Sequence, residues 1–191
     1  MTKSEIIRLI ESDRSMMDIL RKVQEIHLSD WWVGGGFIRS KVWDHLHGYT
    51  TPTPIPDIDV IYFDKDDFKE NEIKSSCTKS EKKYEDSLMG MMPHIKWEVV
   101  NQARMHVFHG CLPYKNSSDA LKDWVETATC IAVRLNRNGS ISLSAPWGVE
   151  DLVNLILRPA NKNPERVKEF YRRIESKGWL QKWPKLKIIA G

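Results

Sequence analysis

Val33-Gly34-Gly35-Gly36, with Pro56-Asp57-Ile58-Asp59-Val60 further along, decides how this chain is read. Trp31-Trp32-Val33 reads as a short buried strand, and the three glycines turn it into a helix over 37–46. A glycine turn that opens a helix leaves backbone N–H groups bare, and such groups cradle phosphates. Residues 58–63 are β-branched and aromatic, which predicts a second strand. On a strand Asp57 and Asp59 share one face, while Ile58 and Val60 point to the other, toward the core. Two carboxylates side by side repel each other unless something compensates, and a divalent cation does so.

A further strand is predicted over 95–100. Trp97 and Val99 take one of its faces, and Glu98 takes the opposite one with Lys96 and Val100. If the two strands are neighbours, Glu98 stands beside Asp57 and Asp59. It then completes a metal-binding set or serves as base for an attacking hydroxyl. The plainer alternatives are a solvated strand start for the two aspartates and a surface ion pair, with Lys96 or a nearby arginine, for Glu98.

Three glycines alone can be a tight turn and nothing more. Here Gly34, Gly35 and Gly36 precede a helix carrying Arg39 and Lys41. Backbone donors, a helix N-terminus and nearby cations together suit a triphosphate. No Gly-Lys-Ser/Thr follows, so this is not a Walker A loop, and the spacing is not Gly-x-Gly-x-x-Gly.

Around this centre the rest of the chain is ordinary. Thr2 and Glu5 have capping-box spacing ahead of a first helix, and Met16, Met17, Leu20 and Val23 mark a second. Residues 75–87 are polar and read as surface. Ser117-Ser118-Asp119 predicts a helix running to about Thr129. Asn136-Arg137-Asn138-Gly139 predicts a hairpin. Gly148 to Leu157 reads as a helix stopped by Pro159, and Asn163-Pro164 opens a last helix that closes at Lys177-Gly178. The alternation predicts an α+β (mixed α/β) fold with a small mixed sheet flanked by helices. The expected organisation is one domain over 1–191, with helical N-terminal (1–30) and C-terminal (148–191) elements packed on it.

Composition narrows the class. An apolar fraction of 41% in 191 residues supports a real core, and 29% charged residues of mixed sign exclude a disordered chain. A net charge of +3 permits a nucleotide or nucleic-acid partner without arguing for one. Cys77, Cys111 and Cys130 are odd in number and form no Cys-x-x-Cys pair, which fits a reduced compartment. No secretory block and no membrane-spanning apolar stretch are present, so a cytoplasmic protein with no membrane partner is expected.

The glycine turn, Asp57-Ile58-Asp59 and a carboxylate on a later strand resemble the DNA polymerase β-type nucleotidyltransferase superfamily. The chain looks more closely like a group of bacterial proteins called nucleotidyltransferase family proteins. That closer resemblance rests on Trp97-Glu98-Val99-Val100-Asn101-Gln102-Ala103-Arg104-Met105-His106, on Glu126-Thr127-Ala128-Thr129, and on Ala145-Pro146-Trp147-Gly148-Val149-Glu150-Asp151-Leu152 with Leu157-Arg158-Pro159. The resemblance implies a nucleoside triphosphate held on Gly35 and Gly36, and magnesium, or manganese in its place, held by Asp57, Asp59 and Glu98. A nucleotidyl group would pass to a hydroxyl of an unidentified acceptor: a small molecule, an RNA or a protein. Many superfamily members have Gly-Ser where this chain has Gly35-Gly36. Their third carboxylate is more often Asp, and their spacer is shorter than 37–56 here. A non-catalytic nucleotide- or RNA-binding module on the same fold is the alternative.

Arg104 steers a phosphate or acceptor, or else forms a structural ion pair. The spacings of His45 with His47 and of His106 with His109 could ligate a metal, but no cysteine partners them as a zinc site would want. Trp31, Trp32, Trp43 and Trp97 read as core.

Overall fold

The computed structural model describes residues 1–189, so the last two residues of the expected C-terminal element lie outside the described residues. The chain begins with α1 (Lys3–Glu11) and α2 (Arg14–Glu25). The capping box at Thr2 forms as expected: Thr2 N–H donates to Glu5 Oε2 and Glu5 N–H to Thr2 Oγ1. Then come β1 (Trp32–Gly34), α3 (Gly36–His47), β2 (Ile58–Tyr62), α4 (Lys79–Met91) and β3 (Trp97–Asn101). Two one-turn helices follow, α5 (His106–His109) and α6 (Ser117–Ala120), then the hairpin β4 (Ala132–Leu135) and β5 (Ile141–Ser144). The C-terminal region holds α7 (Glu150–Val153), β6 (Ile156–Leu157), α8 (Pro164–Lys177), α9 (Trp179–Lys182) and β7 (Lys187–Ile188).

Five strands form one mixed sheet in the order β3-β2-β1-β4-β5. Within this sheet, β2 and β3 are the parallel pair, and α4 lies in the crossover between them. The alternation of β2 and β3 sorts their side chains onto two faces. Ile58, Val60, Trp97 and Val99 enter the main core with Val33, Phe37 and Trp43. On the opposite face a smaller cluster gathers Trp32, Ile61, Leu121 and Ala132 against Trp124. Asp59 and Glu98 share that second face, so the site lies beside a thin apolar layer rather than in the main core.

Three elements differ from expectation. Residues 75–87 are not a plain polar surface: α4 runs through them, capped by Thr78 in a box with Glu81. The helix expected up to Thr129 stops after Ala120 and gives way to a 3-10 turn, and Trp124 turns extended at ψ 161°. That break lets the indole of Trp124 reach the glycine turn. The expected helix over 148–157 is cut to α7. Leu155 takes a positive φ of 60°, and the chain leaves as β6, which pairs in parallel with β7.

Candidate functional site

Gly35 caps α3 with φ 53°, a left-handed conformation that favours glycine. Its N–H donates to Ile131 O at 2.9 Å, which ties the turn to the strand beside it. A Cβ on Gly35 would lie 2.8 Å from Trp124 Cζ3 and 3.3 Å from Asp59 Oδ2. One on Gly34 would lie 2.7 Å from Trp124 Cη2. Gly34 and Gly35 are therefore favoured by space, Gly35 by its backbone as well, and the Asp59 carboxylate stands against the turn. The first N–H groups of α3 have no partner within the helix.

Asp59 and Glu98 are register partners across the parallel pair, as Ile58 is of Trp97 and Val60 of Val99. Asp57 lies one pleat earlier on the same side. Burial pushes the Asp59 carboxyl up to about 6, with the charges of Asp57 and Glu98 adding to it and Arg39 and Arg173 opposing. The Lys96 ammonium bridges the outer two carboxylates, 3.0 Å from Glu98 Oε1 and 3.7 Å from Asp57 Oδ2. Among the described residues, no three His, Cys, Asp or Glu side chains converge closely enough to hold a metal ion. The donor set nevertheless suits a hard dication. It is all oxygen and in excess of its counter-charge, and a cation, the Lys96 ammonium, already bridges two of its members.

Cations face the carboxylates. The Arg39 guanidinium lies over the rings of Trp179, Trp43 and Trp183, at 4.5, 5.3 and 5.8 Å from their centroids. It donates to Ser40 Oγ at 3.3 Å, and its Nε is buried with no hydrogen-bond partner. Burial pulls its pKa down to about 10, helped by Arg173 and resisted by Glu126, Asp59 and Asp57. This is a cation with unspent donors, the state an incoming anion would relieve. Glu126 is wholly buried and accepts from Arg173 Nε and Thr129 Oγ1, each at 2.8 Å.

A cavity of about 90 Å³ is walled by Gly35, Gly36 and Arg39, by Asp57 and Asp59, and by Arg173 with Lys177 and Lys182. A second cavity, of about 260 Å³, shares Asp59, Trp124, Thr129 and Arg173 with the first and adds Glu98 and His109.

The structure thus brings Gly34, Gly35, Gly36, Arg39, Asp57, Asp59 and Glu98 together. It does not bring Lys41 or Arg104 to them. Lys41 lies two residues beyond Arg39, roughly 200° around the helix. It pairs with Asp13 at 2.6 Å and lines a different cavity, of about 450 Å³, behind the 52–57 loop, which of the site's three carboxylates only Asp57 also lines. Arg104 is 1% exposed and grips Glu81 through Nε and Nη2, at 2.9 and 2.7 Å. It also donates to Ser75 O. Its structural reading is the one the geometry favours. One member of each histidine pair is held locally: His47 bonds Trp43 O and Lys185 N, and His106 bonds Ala103 O.

Sequence reasoning missed Trp124, Glu126 and the basic edge of α8 and α9. A signal for the last existed: Arg166, Arg173 and Lys177, spaced by seven and four, share one face of a helix.

A family model for nucleotidyltransferases matches residues 21–188. The chain belongs to the nucleotidyltransferase family. Among solved structures this nucleotidyltransferase is similar to one described as revealing a CCA-adding enzyme head domain. That match has 30% identity and a TM-score of 0.83, over 100% of this chain and 97% of that one. The fold is also shared with the Thermotoga maritima CCA-adding enzyme complexed with tRNA, at 14% identity and a TM-score of 0.57. A CCA-adding enzyme in complex with CTP matches at 13% identity and a TM-score of 0.57. This chain spans 42% and 43% of those two longer proteins. No curated protein sequence matches it. Among the described residues no helix is long and apolar enough to cross a membrane.

Proposed function

We propose that this nucleotidyltransferase takes a nucleoside triphosphate and passes its nucleoside monophosphate to a hydroxyl acceptor, with pyrophosphate leaving. The observation that carries the reading is the register pairing of Asp59 with Glu98 beside the Gly35 turn, opposite an Arg39 whose donors are unspent. CTP and tRNA accompany solved proteins of the same fold, which supports the same ligand classes here. Magnesium, or manganese, would be held by Asp57, Asp59 and Glu98, and when bound supplies neutralising charge to the phosphates. The Gly34-Gly35-Gly36 turn receives phosphate oxygens. Arg39, Arg173 and the lysines of the last two helices hold the negative charge that builds on the departing pyrophosphate. Such electrostatic stabilisation is the main lever in phosphoryl-group transfer, which asks little covalent work of the protein. The free cysteines Cys77, Cys111 and Cys130 suit a reduced compartment, and we read the protein as cytoplasmic.

A second reading, a nucleotide or RNA binder without turnover, is favoured by one observation: Lys96 already neutralises the outer carboxylates. Incubation with each α-labelled triphosphate, magnesium and cell extract separates the two. Transfer of label that is lost in Asp59→Asn supports the enzyme. Triphosphate-dependent thermal protection without any transfer supports the binder.

A further inference from the structure

The second cavity holds a histidine that the reaction described above does not use. Tyr114 is buried, and its hydroxyl lies 2.7 Å from Asp123 Oδ2 and 2.6 Å from His109 Nδ1. A phenol carries one proton. That proton is donated to Asp123 Oδ2. The contact with His109 is then Nδ1–H donating to the phenol oxygen, which leaves Nε2 bare as an acceptor. Burial holds Tyr114 protonated by raising its pKa, with its bonds to Cys111 and Asp123 acting the same way.

We propose that His109 is the base that takes the proton from the acceptor hydroxyl, and that Tyr114 and Asp123 are the positioning residues that fix its tautomer. This rests on the nucleotidyl-transfer reading. His109 shares one cavity with Asp59 and Glu98, and that cavity meets the one at the glycine turn along Asp59 and Arg173. The Glu98 carboxylate is engaged by the Lys96 ammonium at 3.0 Å. The charged groups facing the ring are Arg166 and Glu169 on α8 and Asp123, with the Cys111 thiol nearby. Burial first and Arg166 second hold His109 below its usual range, against Asp123 and Glu169. Arg166 is itself held by Glu169 and by the Asp123 carbonyl, so its charge stays beside the ring. The imidazole is therefore neutral at pH 7.

In the step, the acceptor O–H bond breaks and its proton goes to His109 Nε2. The oxygen forms a bond to the α-phosphorus, and the bond from that phosphorus to pyrophosphate breaks with its electron pair leaving on pyrophosphate. The imidazolium then returns its proton to water.

Two measurements test this. Imidazole ¹⁵N NMR of the whole chain is expected to show His109 as the Nδ1–H tautomer with a pKa below 6.5, and Tyr114→Phe to abolish that tautomer preference. An Nε2–H ring in the unaltered protein overturns the proposal. In the transfer assay, His109→Gln is expected to lower kcat by about 10²- to 10⁴-fold. Triphosphate affinity should be retained and the ascending limb of the kcat–pH profile lost. Transfer by the unaltered protein with equal kcat in His109→Gln overturns this step alone. Absence of transfer by the unaltered protein overturns the nucleotidyl-transfer reading, and this step with it.

Discussion

Glu126, with no exposed surface, accepts a 2.8 Å hydrogen bond from Arg173 Nε across 47 residues of chain. This contact fastens α8 to the sheet face that carries Asp59. It aims a guanidinium at the carboxylates without letting it collapse onto them. Glu126→Gln keeps the shape and withdraws the charge. The expected loss is about 1.5–3 kcal/mol of unfolding free energy in a urea titration.

Arg39 sits in its tryptophan enclosure at a cost to the unliganded fold, because its Nε has no partner. Cation–π attraction, about 2 kcal/mol for a desolvated pair, offsets part of that cost. Arg39→Met should therefore leave the melting temperature of the free protein equal to or above that of the unaltered chain. The same variant should lose the upward shift that a triphosphate with magnesium produces. Calorimetry with and without ligand reads both effects.

Asp59 makes stability depend on pH in a direction that can be worked out. Its carboxyl titrates at 3.8 by itself and at about 6 in the fold. Between those values the folded state binds more protons than the unfolded one, so stability falls as pH rises through this window. Well below pH 3.8 both states are protonated and no penalty exists. Above pH 6 the penalty is complete, on the order of 2–3 kcal/mol for a shift of this size. Asp59→Asn should stabilise the metal-free protein at pH 8 and leave it almost unchanged near pH 3.5, as read by thermal melts at the two pH values.

Glu81 and Arg104 form a pair at 2.7 Å, each 1% exposed. Removing one charge strands the other, so Glu81→Ala should cost about 3–5 kcal/mol in chemical unfolding. Arg104→Lys should not restore the two-pronged bond. If Arg104 were a phosphate ligand, titration calorimetry on the still-folded Arg104→Lys variant would show weakened triphosphate binding. The expected result is unchanged affinity.

The centre of the site was legible because strand periodicity is short and unforgiving. Ile58, Val60, Trp97 and Val99 must point inward, so Asp59 and Glu98 must point outward on the other face. The pairing of those strands was the added fact, and the structure supplies it as a parallel register. Arg39 and Lys41 could not be separated by residue type, since only the helix turn sends one toward the carboxylates and the other away. Helix α4 was hidden because the residues it buries are only Glu81 and Leu88. Its capping signature, Thr78 followed by Glu81, was nonetheless present. Arg173 and Lys177 looked like a solvated helix face, and nothing local says that such a face docks against a distant glycine turn.

The indoles around Arg39 have one more consequence. Trp43, Trp179 and Trp183 each have a guanidinium carbon within 6 Å of the ring centroid. The energy of an excited indole responds to the electric field beside it. An anion that neutralises Arg39 therefore changes the ultraviolet emission of three fluorophores at once. The protein carries its own optical gauge of whether the site is filled, readable in solution without any label.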